Sequence, residues 1–285
     1  MPKKDSPEHA VEHLILDSVT HLTDANRGMA ALCASHGGLY AGYFAAKMGV
    51  GAVILNDAGI GRDCAGIAGV KLLDDLGTPG AAVSNRSARI GDGADCLERG
   101  RLSYVNPTAE LIGLEVGQTC HEALGILEAT DLIPSPPPAT LDEARFEQED
   151  AGADGVRVII MDSISLVSPE DDGHVLVAAS HGGLLSGKPE TAIKFPAFAV
   201  VTNDADRGID DAGIQRLPAL DARGIAGGCV SAFTARIGDG RSLYRDGVIS
   251  VVNKTAENYG GHIGQSCRDF VTAMVDARIR GKNKE

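Results

Sequence analysis

The chain has 285 residues, 44% of them hydrophobic, enough to bury a sizeable core as two ordinary domains or one large body. A formal net charge of −13 with only 4% aromatics and no Trp excludes a basic, ring-lined nucleic-acid platform. No apolar run approaches the roughly 18 residues of a membrane helix. The polar start Met1-Pro2-Lys3-Lys4-Asp5-Ser6 has no apolar signal core behind it, and the six cysteines show no C-x-x-C spacing. Together these predict a soluble, cytoplasmic protein in a reducing setting, with solvated basic tails at Lys3-Lys4 and Arg278 to Lys284.

Taken in order, short apolar runs ending at turn-prone residues predict strands over Leu14 to Val19 and Met29 to Ala34. Leu39 to Met48 carries a helical period and stops at Gly49, a favoured residue just past a helix end. A strand over Ala52 to Leu55, a helix from about Asp63 to Leu76, a short strand over Ala81 to Val83, a strand over Leu102 to Val105 and a helix over Gln118 to Glu128 follow. Pro134-Ser135-Pro136-Pro137-Pro138 and the acidic stretch after it predict a stiff linker with one short helix. Beyond it come strands at Val156 to Ile164, Leu176 to Ala179, Phe198 to Val201, Cys229 to Val230 and Val248 to Val252, then a helix from Gly264 to Ala277.

The two stretches share a vocabulary. Ala34-Ser35-His36-Gly37-Gly38-Leu39 recurs as Ala179-Ser180-His181-Gly182-Gly183-Leu184, 145 positions later, and Asp17-Ser18 matches Asp162-Ser163 at the same offset. From Asn56-Asp57 and Asn203-Asp204 onward the offset is 147, and it holds for Ser84 with Ser231 and for Ala88 to Gly93 with Ala235 to Gly240. This reads as an internal duplication. The expected fold is α/β: two tandem homologous units, residues 1–130 and 155–285, each a mainly parallel sheet with covering helices, joined by a linker over 131–154 and packed as a pseudo-two-fold pair. Only after the second Ser-His-Gly-Gly does the pattern break, where Ser186-Gly187-Lys188-Pro189 interrupts the helix.

Each repeated motif falls at a predicted strand end, where ligands gather in open α/β sheets. Ser35, Gly37 and Gly38, with Ser180, Gly182 and Gly183, suit an anion site or oxyanion hole of backbone amides at a helix start, against the plainer role of a tight turn. His36, Asp57 and Ser84, with His181, Asp204 and Ser231, are the candidates for proton transfer or attack, although Asp57 and Asp204 equally suit turn-making Asx residues. Arg89 and Arg236 offer forks for a substrate carboxylate, with Asp92 and Asp239 beside them, against a structural Arg–Asp pair. Cys120 and Cys267 read as buried packing.

Gly182 to Lys188 spells most of a P-loop, but Pro189 stands where Ser or Thr would hold magnesium. Gly59-Ile60-Gly61 lacks the third glycine of a dinucleotide fingerprint. No cofactor is expected, with a divalent metal on His36, Asp57 and Asp92 as the alternative. The expected function is a small-molecule hydrolase of an amide, imide or ester that carries a carboxylate, with a dominant site in the first unit. A lyase or isomerase using the same groups, or a binding protein for an anionic metabolite, is the competing reading. The expected partners are a small anionic substrate and further copies of the chain.

Overall fold

The apolar runs of the first half pair as β1 (Leu14–Leu16), β2 (Ala30–His36), β3 (Ala52–Asn56), β4 (Gly80–Val83) and β5 (Leu102–Val105), in that spatial order, in a computed structural model that describes residues 14–282. His9, His13, Lys3-Lys4, the polar start and Lys284 lie outside those residues. Strands β1 to β4 are parallel and β5 closes the edge antiparallel. Because parallel strands are covered on both faces, successive residues split between two cores. Ala31, Cys33, Val53 and Leu55 pack under helices α1 (Leu39–Met48) and α2 (Ala68–Asp75). Leu32, Ala34, Ile54 and Val83 face the opposite layer, built from α3 (Gly93–Arg99), α4 (Pro107–Glu110) and α5 (Cys120–Glu128).

The second half forms a six-stranded sheet from β6 (Arg145–Glu147), β7 (Val158–Met161), β8 (Val175–His181), β9 (Ala199–Asn203), β10 (Ala226–Val230) and β11 (Ile249–Val252). Strands β7 to β10 are parallel, with β6 and β11 antiparallel at the edges. One face is covered by α7 (Gly240–Asp246), α8 (Lys254–Asn258) and α9 (Cys267–Lys282), whose Phe270, Val271 and Met274 are fully buried. The other face carries α6 (Arg216–Asp221) and an irregular strap over 184–197 that contributes Leu184, Ala192, Ile193 and Ala197 to the core. The protein is therefore α/β, with two mainly parallel mixed sheets and covering helices. No helix among the described residues is long and apolar enough to cross a membrane.

Several elements depart from expectation for local reasons. Residues 131–154 hold no helix; β6 instead adds to β7, and its Phe146 lies under the Arg241 guanidinium, 4.6 Å from the ring centroid. The helix expected from Asp63 begins only at Ala68, because Asp63 and Cys64 adopt left-handed φ values of 54° and 57° in a preceding 3₁₀ turn. The strand expected over Val156 to Ile164 stops at Met161, since Ser163 turns the chain by accepting a hydrogen bond from the Ser165 N–H. Ser18 does the same at Thr20 after β1.

The sheets meet through the loops that leave their strand ends. Ala58, Ala65, Ile90, Ala205, Ala212 and Ile237 form one small buried cluster drawn equally from the two halves. Around it the Arg62 N–H donates to Ala232 O and the Ile209 N–H to Asn85 O, each at 2.8 Å. Ion pairs Arg89–Asp210 (2.9 Å), Arg236–Asp63 (3.1 Å) and Arg86–Asp206 (2.6 Å) cross the same seam.

Candidate active site

Beside that seam lies a cleft of about 220 Å³ that contains His36 and His181 together. Their ring centroids are 6.2 Å apart with the planes at 76°. Each histidine ends a central strand, β2 or β8, and each is clamped in the same way. The Gly38 N–H donates to His36 Nδ1 at 3.2 Å, and the Gly183 N–H donates to His181 Nδ1 at 3.1 Å. A Cβ at Gly38 would lie 2.6 Å from that Nδ1, so glycine is what admits the contact.

The clamp fixes the chemistry of both rings. A nitrogen that accepts a hydrogen bond cannot carry the proton, so the neutral tautomer holds it on Nε2. Burial lowers His36 to about 4, and burial together with the Arg216 charge and His36 lowers His181 well below its ordinary value. At neutral pH both rings are uncharged hydrogen-bond donors, and neither Nε2–H is taken by a protein acceptor among the described residues. Metal ligation or proton abstraction through Nε2 would require the opposite tautomer.

Hydroxyls surround the imidazoles in two matching groups. Ser35 Oγ accepts from the Val19 N–H at 2.8 Å and lies 3.4 Å from Ser18 Oγ, which in turn pairs with Thr20 at 2.8 Å. Across the cleft Ser180 Oγ accepts from the Ile164 N–H at 2.9 Å, and Ser163 pairs with Ser165 at 2.8 Å. Tyr40, from the first turn of α1, and Glu143 complete one side. Burial and the neighbouring Asp162 raise Glu143 to about 7, against the Tyr40 and Ser163 hydroxyls, which pull it back. Thr191, Ile193 and Lys194 of the strap complete the other side, with Arg216 beneath them.

Arg216 is 3% exposed and almost wholly engaged with backbone. Its Nη2 donates to Gly183 O at 2.8 Å and His181 O at 3.4 Å, and its Nη1 to Thr191 O and Ala192 O. Its Nε has no hydrogen-bond partner among the described residues. Burial lowers the guanidinium to about 10, which still leaves it charged at neutral pH. The strap is broken at left-handed Ser186 and forms only short 3₁₀ turns, and Arg216 supplies donors to the Gly183, Thr191 and Ala192 carbonyls, which no continuous helix satisfies.

Of the residues expected from sequence, the structure brings Ser35, His36, Ser180 and His181 into the cleft and leaves the others outside its lining. Asp57 Oδ1 accepts from the Gly59 and Asn85 N–H groups and its Oδ2 from Ser103 Oγ, all within 2.9 Å. Asp204 is held alike by Asp206, Ala232 and Ser250, and burial raises its carboxyl. Both carboxylates brace the seam loops, the Asx role. Ser84 and Ser231 accept from the N–H two residues on, at Arg86 and Phe233, and stay away from the histidines.

Asp92 and Asp239 cap α3 and α7 by accepting from Asp95 N and Ser242 N. Arg89 is spent on Asp210, Asp95 and Asp92, and Arg236 on Asp239 and Asp63. The Gly37 and Gly182 amides donate to Asn56 O and Asn203 O, so the paired glycine amides do not form an open oxyanion hole. The Gly38 and Gly183 amides instead set the histidine tautomer. His36, Asp57 and Asp92 are not gathered about one point, and no group of three or more metal-ligating side chains occurs among the described residues. Gly182 to Lys188 folds as an irregular 3₁₀ turn, without the helix a P-loop requires. Burial pushes the Cys120 and Cys267 thiols up to about 12, which removes them as nucleophiles.

Sequence reasoning missed Glu143, Tyr40, Thr191, Lys194 and Arg216. The available signal lay in the repeats, because Ser18, Asp162, Ser163 and Gly238 belong to repeated motifs and line the cleft. Comparison with protein-family models, with curated proteins and with solved structures found no match, so the functional reading rests on this geometry.

Proposed function

We propose that the protein is an enzyme that hydrolyses an amide, imide or ester bond in a small molecule bearing a carboxylate, in a cleft shared by two homologous halves of a duplicated chain paired about a pseudo-two-fold axis. The observation that carries this reading is the meeting, in one cleft, of two neutral Nε2–H donors and a carboxyl group near pH 7. The substrate carbonyl accepts from the imidazole donors, which then hold the oxyanion as it forms. Glu143, ionised, takes a proton from the attacking water and returns it to the departing nitrogen or oxygen. An acyl-enzyme is not invoked, because Ser35 and Ser180 have no base beside them. The free thiols, all buried except the half-buried Cys64, suit a reducing cytoplasmic setting.

A second reading has a specific support. A neutral imidazole donor facing a carboxyl of raised pKa also suits removal of a proton next to a carbonyl, the chemistry of an isomerase or lyase. Turnover of a panel of carboxylate-bearing amides, imides and esters in ¹⁸O-labelled heavy water separates the two by mass spectrometry. Hydrolysis puts ¹⁸O into the product carboxylate, whereas carbon-bound deuterium without ¹⁸O identifies the isomerase or lyase. Stabilisation of the protein without any turnover would mark a binding protein. His36→Ala and His181→Ala should each lower the rate by about 10²–10³-fold, and wild-type rates in both would end the assignment.

A further inference from the structure

The cleft is alike on its two sides in imidazoles and hydroxyls, yet unlike in charge. On one side Asp162 Oδ2 accepts the Ala144 N–H at 2.7 Å and so fixes the segment that presents Glu143 beside Tyr40 and Ser163. The matching Asp17 instead pairs with Ser186 Oγ of the strap. There Thr191 Oγ1 accepts from the Leu185 N–H at 3.0 Å, and two residues beyond Ile193 the chain presents Phe195 under the Lys194 ammonium, 5.1 Å from the ring centroid. Lys194 lines the cleft, and the buried Arg216 guanidinium lies against the same strap with its Nε unpartnered. One side therefore repels an anion through Glu143 and Asp162, while the other attracts it through two cations.

We propose that the cleft is directional: it takes a short monoanion lengthwise, with the substrate carboxylate at Lys194 and the carbonyl between the imidazoles, its reacting side turned to Glu143. This rests on the cleft being the substrate site, and it adds the orientation and the specificity-determining residue. A dicarboxylate is disfavoured, since its second anion would fall against Glu143 and Asp162. An uncharged diamide loses the attraction of Lys194.

The test is binding of succinamate, succinamide and succinate, followed by ligand-detected NMR titration on the full chain, which needs no turnover. Wild-type protein should prefer succinamate to both others. Lys194→Met should weaken succinamate by about tenfold and leave succinamide unchanged, and Lys194→Arg should restore most of the loss. Equal affinities for succinamate and succinamide in the wild type, or unchanged succinamate binding in Lys194→Met, would overturn the proposal. Binding that follows Lys194 while no labelled oxygen enters any product would reject hydrolysis and leave the directional cleft standing.

Discussion

His36 and His181 have the same clamp, but the chain that follows each is supported in opposite ways. After His36 the backbone enters α1, which lies against α2 through Gly42 and Gly69, where a Cβ on either would sit 2.2 Å from backbone of the other helix or its approach. After His181 the helix is lost, and at the position matching Gly69 stands Arg216, whose guanidinium holds four carbonyls. A six-residue motif thus dictates the state of its own imidazole. How the chain beyond each imidazole is supported is decided by Gly69 in one half and Arg216 in the other.

The largest effect should come from exchanging those supports. Arg216→Met leaves four buried carbonyls without their donor and should cost about 3–5 kcal/mol in chemical denaturation. Gly69→Ala should cost about 1–3 kcal/mol by overpacking the α1–α2 contact, because the clash is with backbone that cannot swing away. Midpoints within about 0.5 kcal/mol of wild type for both would show that neither feature supports its histidine.

Next in size is Glu143→Gln, which sharpens the difference between the two sides of the cleft. Turnover should fall about 10²-fold, and the rise in rate through about pH 7 should disappear. Stability moves with two opposing signs. Glu143 is raised from 4.5 to about 7 on folding, so its contribution is lost as pH rises across that window. His36 is lowered from 6.5 to about 4, so its contribution is complete above 6.5 and lost as pH falls. With the carboxyl removed, the Glu143 contribution disappears and the histidine trend is unchanged. Relative to wild type the variant should gain on the order of 1 kcal/mol between pH 4.5 and 8, a figure kept small because Glu143 is partly exposed. An identical pH dependence of unfolding in the two proteins would remove Glu143 from the cleft chemistry.

Much of the framework was legible because it is local. The helical period of Leu39 to Met48 and the short run Leu102 to Val105 give the observed α1 and β5, and the interruption at Ser186-Gly187-Lys188-Pro189 falls where the second half has only 3₁₀ turns. Half of the cleft was legible for the same reason, since the repeated Ser-His tetrads carry their own geometry. Glu143 was hidden in a Pro-rich, acidic stretch whose three-residue strand is too short to show a period, and it reaches the cleft only because β6 adds to β7. Lys194 lies in the stretch where the offset changes from 145 to 147, and Arg216 stands where the first copy has Gly69, so a search for shared motifs passes over the residues that make the two halves differ. Asp57 and Asp204 were misleading for the converse reason. The backbone of the seam loops, with left-handed Ala58 and Ile60 in one and Ala205 and Arg207 in the other, depends on those carboxylates, and this requirement repeats as faithfully as a catalytic one.

The smallest expected effect falls on the arginines that the sequence had assigned to the substrate. Arg89 lies across the seam from Asp210, at 2.9 Å through Nη2 and 3.0 Å through Nε, and Arg99 shares the same carboxylate at 3.0 Å. With a side chain 40% exposed and a neighbour able to keep Asp210 company, Arg89→Ala should cost no more than about 1 kcal/mol. Its rate should stay within about twofold of wild type, because no atom of Arg89 lines the cleft. Arg236 spends its fork mainly on Asp239 within its own half, at 2.9 Å, so its loss should weaken the seam even less. Steady-state rates for the two single variants beside Lys194→Met would rank the cations directly. A collapse in turnover confined to Arg89→Ala, with unfolding unchanged, would move the substrate anion from the strap to the seam, and the contrast between the two sides of the cleft would then lose its functional meaning.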